Sequence, residues 1–159
     1  MHSAIAQLAQ LQLADPRPPE FSDEALALYF AEKHADDLRY IAAWGKWLVW
    51  TGRYWRRDDT LLAFDLVRAE CRAASARAEK GGTKRDLASA QRVAAVERLA
   101  RADRRLAATV DQWDVDPWLL NTPGGTVDLR NGKLRRHWSA DYITKITTVT
   151  PRKAAVDAG

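Results

Sequence analysis

Residues 44–58 read Trp-Gly-Lys-Trp-Leu-Val-Trp-Thr-Gly-Arg-Tyr-Trp-Arg-Arg-Asp, which puts four tryptophans within twelve positions. Aromatic and β-branched residues at this density favour extended backbone, and the central Thr51-Gly52 supplies a turn, so the tract predicts a β-hairpin. Alternation sends Trp47 and Val49 to one face and Leu48 and Trp50 to the other, and side chains of that bulk require at least one face to be core. A chain of 159 residues with 47% hydrophobic residues can build such a core within one compact domain.

Around this hairpin the pattern is mainly helical. Pro16, Pro18 and Pro19 stiffen the backbone and forbid helix, so residues 1–20 are expected to be a flexible lead-in and the fold to begin at Phe21. Ser22 is a good N-cap, Asp23 and Glu24 complement the helix dipole, and Leu26, Tyr29 and Phe30 share one face of a helix ending near His34. Asp58 or Asp59 can cap a second helix, with Leu62, Leu66, Ala69 and Ala73 inward, that stops near Glu79 before a break at Lys80-Gly81-Gly82-Thr83. A third helix is expected from Leu87 to Val110. Turns and strands follow from Pro117. Asn131-Gly132 suits a two-residue type I′ turn that sets Leu129 opposite Leu134 and Arg130 opposite Lys133, and Tyr142 to Val149 reads as a last strand. The expectation is an α+β fold, a mainly helical domain with two short β-hairpins, over residues 21–151, followed by a tail at 152–159.

Charge is unevenly spread. Residues 1–43 carry three basic and seven acidic groups, a net of −4, whereas the rest carries 22 basic and 14 acidic groups, a net of +8. Such a basic body favours polyanions. Arg98, Arg101 and Arg105 share one side of the expected third helix and form a basic stripe, opposite Val93, Val96, Leu99, Ala100, Leu106, Ala107 and Val110. Arg53, Arg56 and Arg57 flank Trp55 on the first hairpin, and Lys133, Arg135 and Arg136 lie on the second. Among Trp44, Trp47, Trp50, Tyr54 and Trp55, it is Trp55, set between arginines, that is expected at the surface where a base could stack.

Other chemistry finds little support. The single cysteine, Cys71, permits no intrachain disulfide and reads as a small core side chain; with only His2, His34 and His137 it cannot assemble a zinc site. Gly45-Lys46 and Gly132-Lys133 lack the spacing of a phosphate-binding loop. Asp111, Asp114 and Asp116 include an alternating pair that could hold Mg²⁺, but Asp116-Pro117 equally suits a turn. No uncharged run approaches the roughly 20 residues of a membrane span, and the N-terminus lacks a secretory leader, so a cytoplasmic protein is expected.

Three runs, Trp47 to Asp58, Asp114 to Leu134 and Asp141 to Lys145, resemble the N-terminal domain of phage and plasmid primase-helicases, to which a domain of poxvirus-type primase-helicases is related. The resemblance spans residues 21–151, and Asn-Thr-Pro-x-Gly-Thr-Val-Asp-Leu at 121–129 is its most specific part. Gly124 stands where relatives often have Asn or another residue, and the glycine-containing stretch Lys80 to Lys84 is an insertion. The resemblance implies a domain placed directly before a superfamily III helicase ATPase that forms hexameric rings, with this chain stopping where that ATPase would begin. It implies an accessory role in replication, with no catalytic residue, metal or cofactor in this segment.

The expected function is therefore to bind single-stranded or forked DNA and help position the hexameric helicase. Arg53, Arg56, Arg57, Arg98, Arg101, Arg105, Lys133, Arg135 and Arg136 would contact phosphates and Trp55 would stack. Neutralising about six phosphates would give a salt slope near −5 on duplex or −4 on single strands. The competing expectation is a collar that drives subunit association or docks a partner, with the acidic helix Ser22 to Ala35 meeting a basic surface of the next subunit. An active primase using Asp114 and Asp116 would need Mg²⁺ and is not expected.

Overall fold

The computed structural model describes residues 18–151; most of the lead-in and the tail from 152 lie outside the described residues. Ser22 accepts the Ala25 N–H at 3.1 Å and opens α1 (Asp23–Lys33), with Asp23 and Glu24 at its positive end. Leu26, Ala27, Phe30 and Ala31 turn inward, whereas Tyr29, expected on that face, is 49% exposed. The alanines allow α1 to approach its neighbours closely, and the buried stripe rotates toward them.

Asp58, one of the two expected caps, begins α2 (Leu62–Arg77) by accepting the Leu62 and Ala63 N–H groups at 2.9 Å each. Ala63, Val67, Cys71 and Ala74 are fully buried, so the expected face of Leu62, Leu66, Ala69 and Ala73 is displaced by one position. Both stripes have helical spacing; the smaller residues take the close helix contact, and Phe64 and Leu66 fill its flank. The expected break is short, because Gly81-Gly82 opens α3 (Gly81–Leu87).

The long helix expected from Leu87 to Val110 does not form. Ser89 accepts the Arg92 N–H at 3.2 Å and starts α4 (Ala90–Ala100) afresh. Beyond it, the Asp103 carboxylate accepts the Arg105 N–H at 2.9 Å, a local turn that competes with helix. Leu106 then turns fully inward, and its carbonyl accepts the Tyr40 N–H at 2.7 Å.

β1 (Leu38–Ile41), β2 (Lys46–Trp50), β3 (Trp55–Arg57) and β4 (Ala107–Ala108) form one sheet in the order β3-β2-β1-β4, antiparallel except for the β1–β4 pair. The expected hairpin at Thr51-Gly52 is the β2–β3 pair, with Trp50 opposite Trp55. Leu38, Trp47 and partly buried Tyr40 and Val49 pack on the helices. Ile41, Leu48 and Trp55 face a second cluster with Trp113, against which Trp50 and Tyr142 pack. Both faces of this sheet are covered.

The second sheet runs β5 (Leu119–Thr122), β6 (Gly125–Asp128) and β7 (Lys133–Arg135). Gly125 has φ +147°, and a Cβ there would lie 2.4 Å from the Arg135 carbonyl oxygen, so only glycine lets β7 pair. The Asn-Gly turn is longer than expected: Val127 lies opposite Leu134 and Asp128 opposite Lys133. The Asp128 carboxylate accepts the Arg130 N–H at 3.0 Å and its carbonyl accepts the Gly132 N–H at 2.8 Å, closing a four-residue loop. The register moves by two residues, which leaves the faces unchanged. The α+β class holds, with two sheets in place of two isolated hairpins.

Residues 142–149 are not a strand. Tyr142 has φ +50°, and the segment spends its hydrogen bonds one at a time: Ile143 accepts from the Trp55 N–H at 2.8 Å, Tyr142 from the Asp114 N–H at 3.0 Å, and Thr147 donates to Asn121 at 2.9 Å. It thereby joins the two sheets. No helix among the described residues is long and apolar enough to cross a membrane.

Candidate nucleic-acid interface

Thr51 shapes the β2–β3 turn. Its hydroxyl accepts the Tyr54 N–H at 3.1 Å and donates to the Tyr54 carbonyl at 2.8 Å, while Gly52 takes φ +90°. This sets Arg53 exposed at the tip and turns Trp55 inward. Trp55 is 1% exposed, so the expectation of a surface stacking residue is corrected. Its indole N–H donates to the Ser139 carbonyl at 2.8 Å, and its ring lies 5.6 Å from Trp113 and 5.6 Å from Trp50. The flanking arginines gave a false signal: Arg53, Arg56 and Arg57 all reach solvent, whereas the Trp55 ring between them packs against Trp50, Trp113 and Tyr142.

The expected cations separate into two groups. Arg101 pairs with Glu97 at 2.6 Å, Arg105 with Asp103 at 2.7 Å and Arg135 with Asp141 at 2.8 Å. The hydrogen bond that each guanidinium donates to its carboxylate raises the arginine pKa above its ordinary value. Arg101 also lies 5.0 Å from the Tyr40 ring centroid, and its partner Glu97 accepts the Trp47 indole N–H at 2.6 Å. These guanidinium groups hold the fold. With α4 ending at Ala100, the basic stripe of Arg98, Arg101 and Arg105 does not exist as a helix face.

Arg53, Arg56, Arg57, Arg98, Lys133 and Arg136 make no ion pair among the described residues. Arg98 sits on α4, and Lys133 and Arg136 lie on or beside β7. Only Arg53, Arg56 and Arg57 are gathered on one hairpin, with exposed Lys46 on the adjoining strand.

Beside them opens a cleft of about 250 Å³ lined by Trp44, Leu48, Tyr54, Trp55, Arg56, Arg57 and Thr144. Arg57 Cζ lies 5.1 Å from the centroid of the Trp44 ring, which is 37% exposed on the β1–β2 turn. No carboxylate lines this cleft, whereas three others carry Asp114 and Asp116, Glu20 and Glu79, or Asp58 and Glu97. Asp58, next to Arg57, is committed to α2: burial pushes its carboxyl up, but the N–H groups of Ala63, Leu62 and Thr60 outweigh that and hold it below the ordinary range. Trp44 was among the tryptophans legible as candidates, but the sequence offered no sign that it, and not Trp55, reaches the surface.

Of the carboxylates considered for Mg²⁺, Asp116 serves a turn and Asp114 ties down the distant segment at Thr144. Asp114 accepts the Thr144 N–H at 2.8 Å, and Asp116 accepts the Trp118 N–H at 2.9 Å with Arg130 at 3.4 Å. No group of three or more His, Cys, Asp or Glu side chains placed to hold a metal occurs among the described residues. Cys71 is buried, and burial pushes its thiol up to about 11, which leaves it uncharged at neutral pH. Among known families, the one described as D5 N terminal like matches residues 27–159. None of the curated proteins matches.

Proposed function

The chain belongs to the D5 N terminal like family, the N-terminal domains of D5-type primase-helicases, and on that premise we propose that it is an accessory domain that binds DNA at the replication fork. The observation that carries the proposal is an aromatic cleft lined by Arg56 and Arg57 and free of carboxylates, with Arg53 on the same hairpin and Lys46 on the adjoining strand, none of the four in an ion pair among the described residues. The domain positions a hexameric helicase ATPase of the same protein, which carries the catalysis, and needs no metal or cofactor of its own.

About four cations give a salt slope near −3 on single strands, shallower than the slope near −4 expected for about six neutralised phosphates. Anisotropy titration of fluorescein-labelled forked DNA at 50 and 200 mM salt tests this. Binding at 50 mM with that slope, weakened at least tenfold in the Arg53→Ala/Arg56→Ala/Arg57→Ala variant, supports the proposal; no binding at 50 mM salt rejects it.

A second reading, a collar that oligomerises or docks a partner, is favoured by a different region. Leu120, Val127 and Leu134 share one face of the second sheet, and Leu134 is 53% exposed beside Trp118 at 52% and Leu129 at 49%. A stable oligomer by light scattering together with no DNA affinity would favour it.

A further inference from the structure

We infer that the cleft beside Trp44 takes one unstacked nucleobase, so that the domain prefers single-stranded over duplex nucleic acid, an inference that rests on the DNA-binding proposal. The lining divides by chemistry: Leu48 and Trp55 are buried and apolar, Trp44 and Tyr54 present aromatic rings, and Arg56 and Arg57 supply charge. At about 250 Å³ the space lies below the roughly 300 Å³ at which drug-sized sites begin. It has room for one planar ring system.

Trp44 already holds a planar partner. The Arg57 guanidinium stands over the indole at 5.1 Å without a carboxylate counter-ion among the described residues. Cation–π attraction at an exposed site is worth only about 0.5–1 kcal/mol, so the guanidinium can be displaced. A base entering the cleft occupies that place on the indole, and the released guanidinium reaches the adjoining phosphate. In duplex DNA each base is already stacked on both sides and cannot enter without being extruded. Trp44 is available for this because it sits on a turn, where the Trp44 N–H donates to the Ile41 carbonyl at 3.1 Å and Gly45 takes φ +61°, leaving the indole outside both clusters.

The test is anisotropy titration of the full chain with fluorescein-labelled oligo-dT and with a duplex of equal length, over 50–200 mM salt. Trp44→Ala is expected to weaken oligo-dT binding about tenfold, to leave duplex binding unchanged, and to leave the salt slope unchanged, because a stacked ring releases no counterion. Trp44→Phe should restore most of the loss. Arg56→Ala, by contrast, should weaken both ligands and flatten the slope by about 0.7 on single strands. If Trp44→Ala binds oligo-dT like the parent while Arg56→Ala still weakens it, the stacking inference is overturned and the DNA-binding proposal stands. If the parent binds neither ligand at 50 mM salt, both fail. Thermal unfolding of each variant separates lost contact from lost fold.

Discussion

The two sheets show two ways of holding a small β layer in place. The first, β3-β2-β1-β4, carries large side chains on both faces and is covered on both, by the helices on one side and by Trp113 and Tyr142 on the other. The second, β5-β6-β7, is anchored through polar groups: the Asn121 side chain donates to the Arg53 carbonyl at 2.9 Å and the Lys145 carbonyl at 3.1 Å. Its opposite face leaves Leu134 half exposed. Area removed from water fixes the first sheet, whereas directional bonds fix the position of the second. Cooperative stability should therefore reside in the first, with the second opening at lower free energy.

The largest expected effect follows from that difference. Trp55→Ala removes a fully buried ring and its bond to Ser139, and should cost about 3–5 kcal/mol in urea unfolding. Trp118→Ala, the same change on the half-exposed face of the second sheet, should cost less than about 1 kcal/mol. Equal losses would break the comparison.

How much of this was legible in the sequence depends on how local the signal was. The Ser22 cap, the Asp58 cap and the β2–β3 hairpin each follow from a few adjacent residues, and each forms. The end of α4 was not legible in that way, since helical spacing continues through Leu106 and Val110. What decides it is the Asp103 turn together with the chance for Leu106 to reach the core and Ala107–Ala108 to pair with β1, a partner more than sixty residues away. The strand expected at 142–149 failed for a related reason: its β-branched composition is real, but its bonding partners lie on two different sheets. At the site, the arginine cluster on the hairpin could be read from spacing. Which arginines are consumed by Glu97, Asp103 and Asp141 is a property of the fold, and so is the exchange of Trp55 for Trp44 as the exposed ring.

A smaller effect sharpens the same contrast through pH. Asp58 is depressed in the folded state, so it contributes stability that is present above the ordinary carboxyl range and is lost as pH falls through its lower folded value. Asp58→Asn should lower stability at pH 7 by about 1 kcal/mol and show a shallower loss on acidification than the parent. Asp128 is also held low, first by its hydrogen bond to Arg130, but it lies partly buried at the end of β6, beside the β6–β7 turn. Asp128→Asn should leave the acid limb of global unfolding unchanged, because that turn contributes little to the cooperative unit. A parallel loss in both variants would mean that the two sheets unfold together.

The smallest expected change in stability carries the most information about function. Leu129→Ser/Leu134→Ser alters two half-exposed side chains on the bare face and should shift unfolding by no more than about 0.5 kcal/mol per site. If the parent self-associates in light scattering and the variant is monomeric at the same concentration, the bare face is an interface and the collar reading gains at the expense of fork binding. If association is unchanged while the hairpin arginine variant loses DNA, the apolar face plays no part in assembly and the covered sheet carries both stability and ligand.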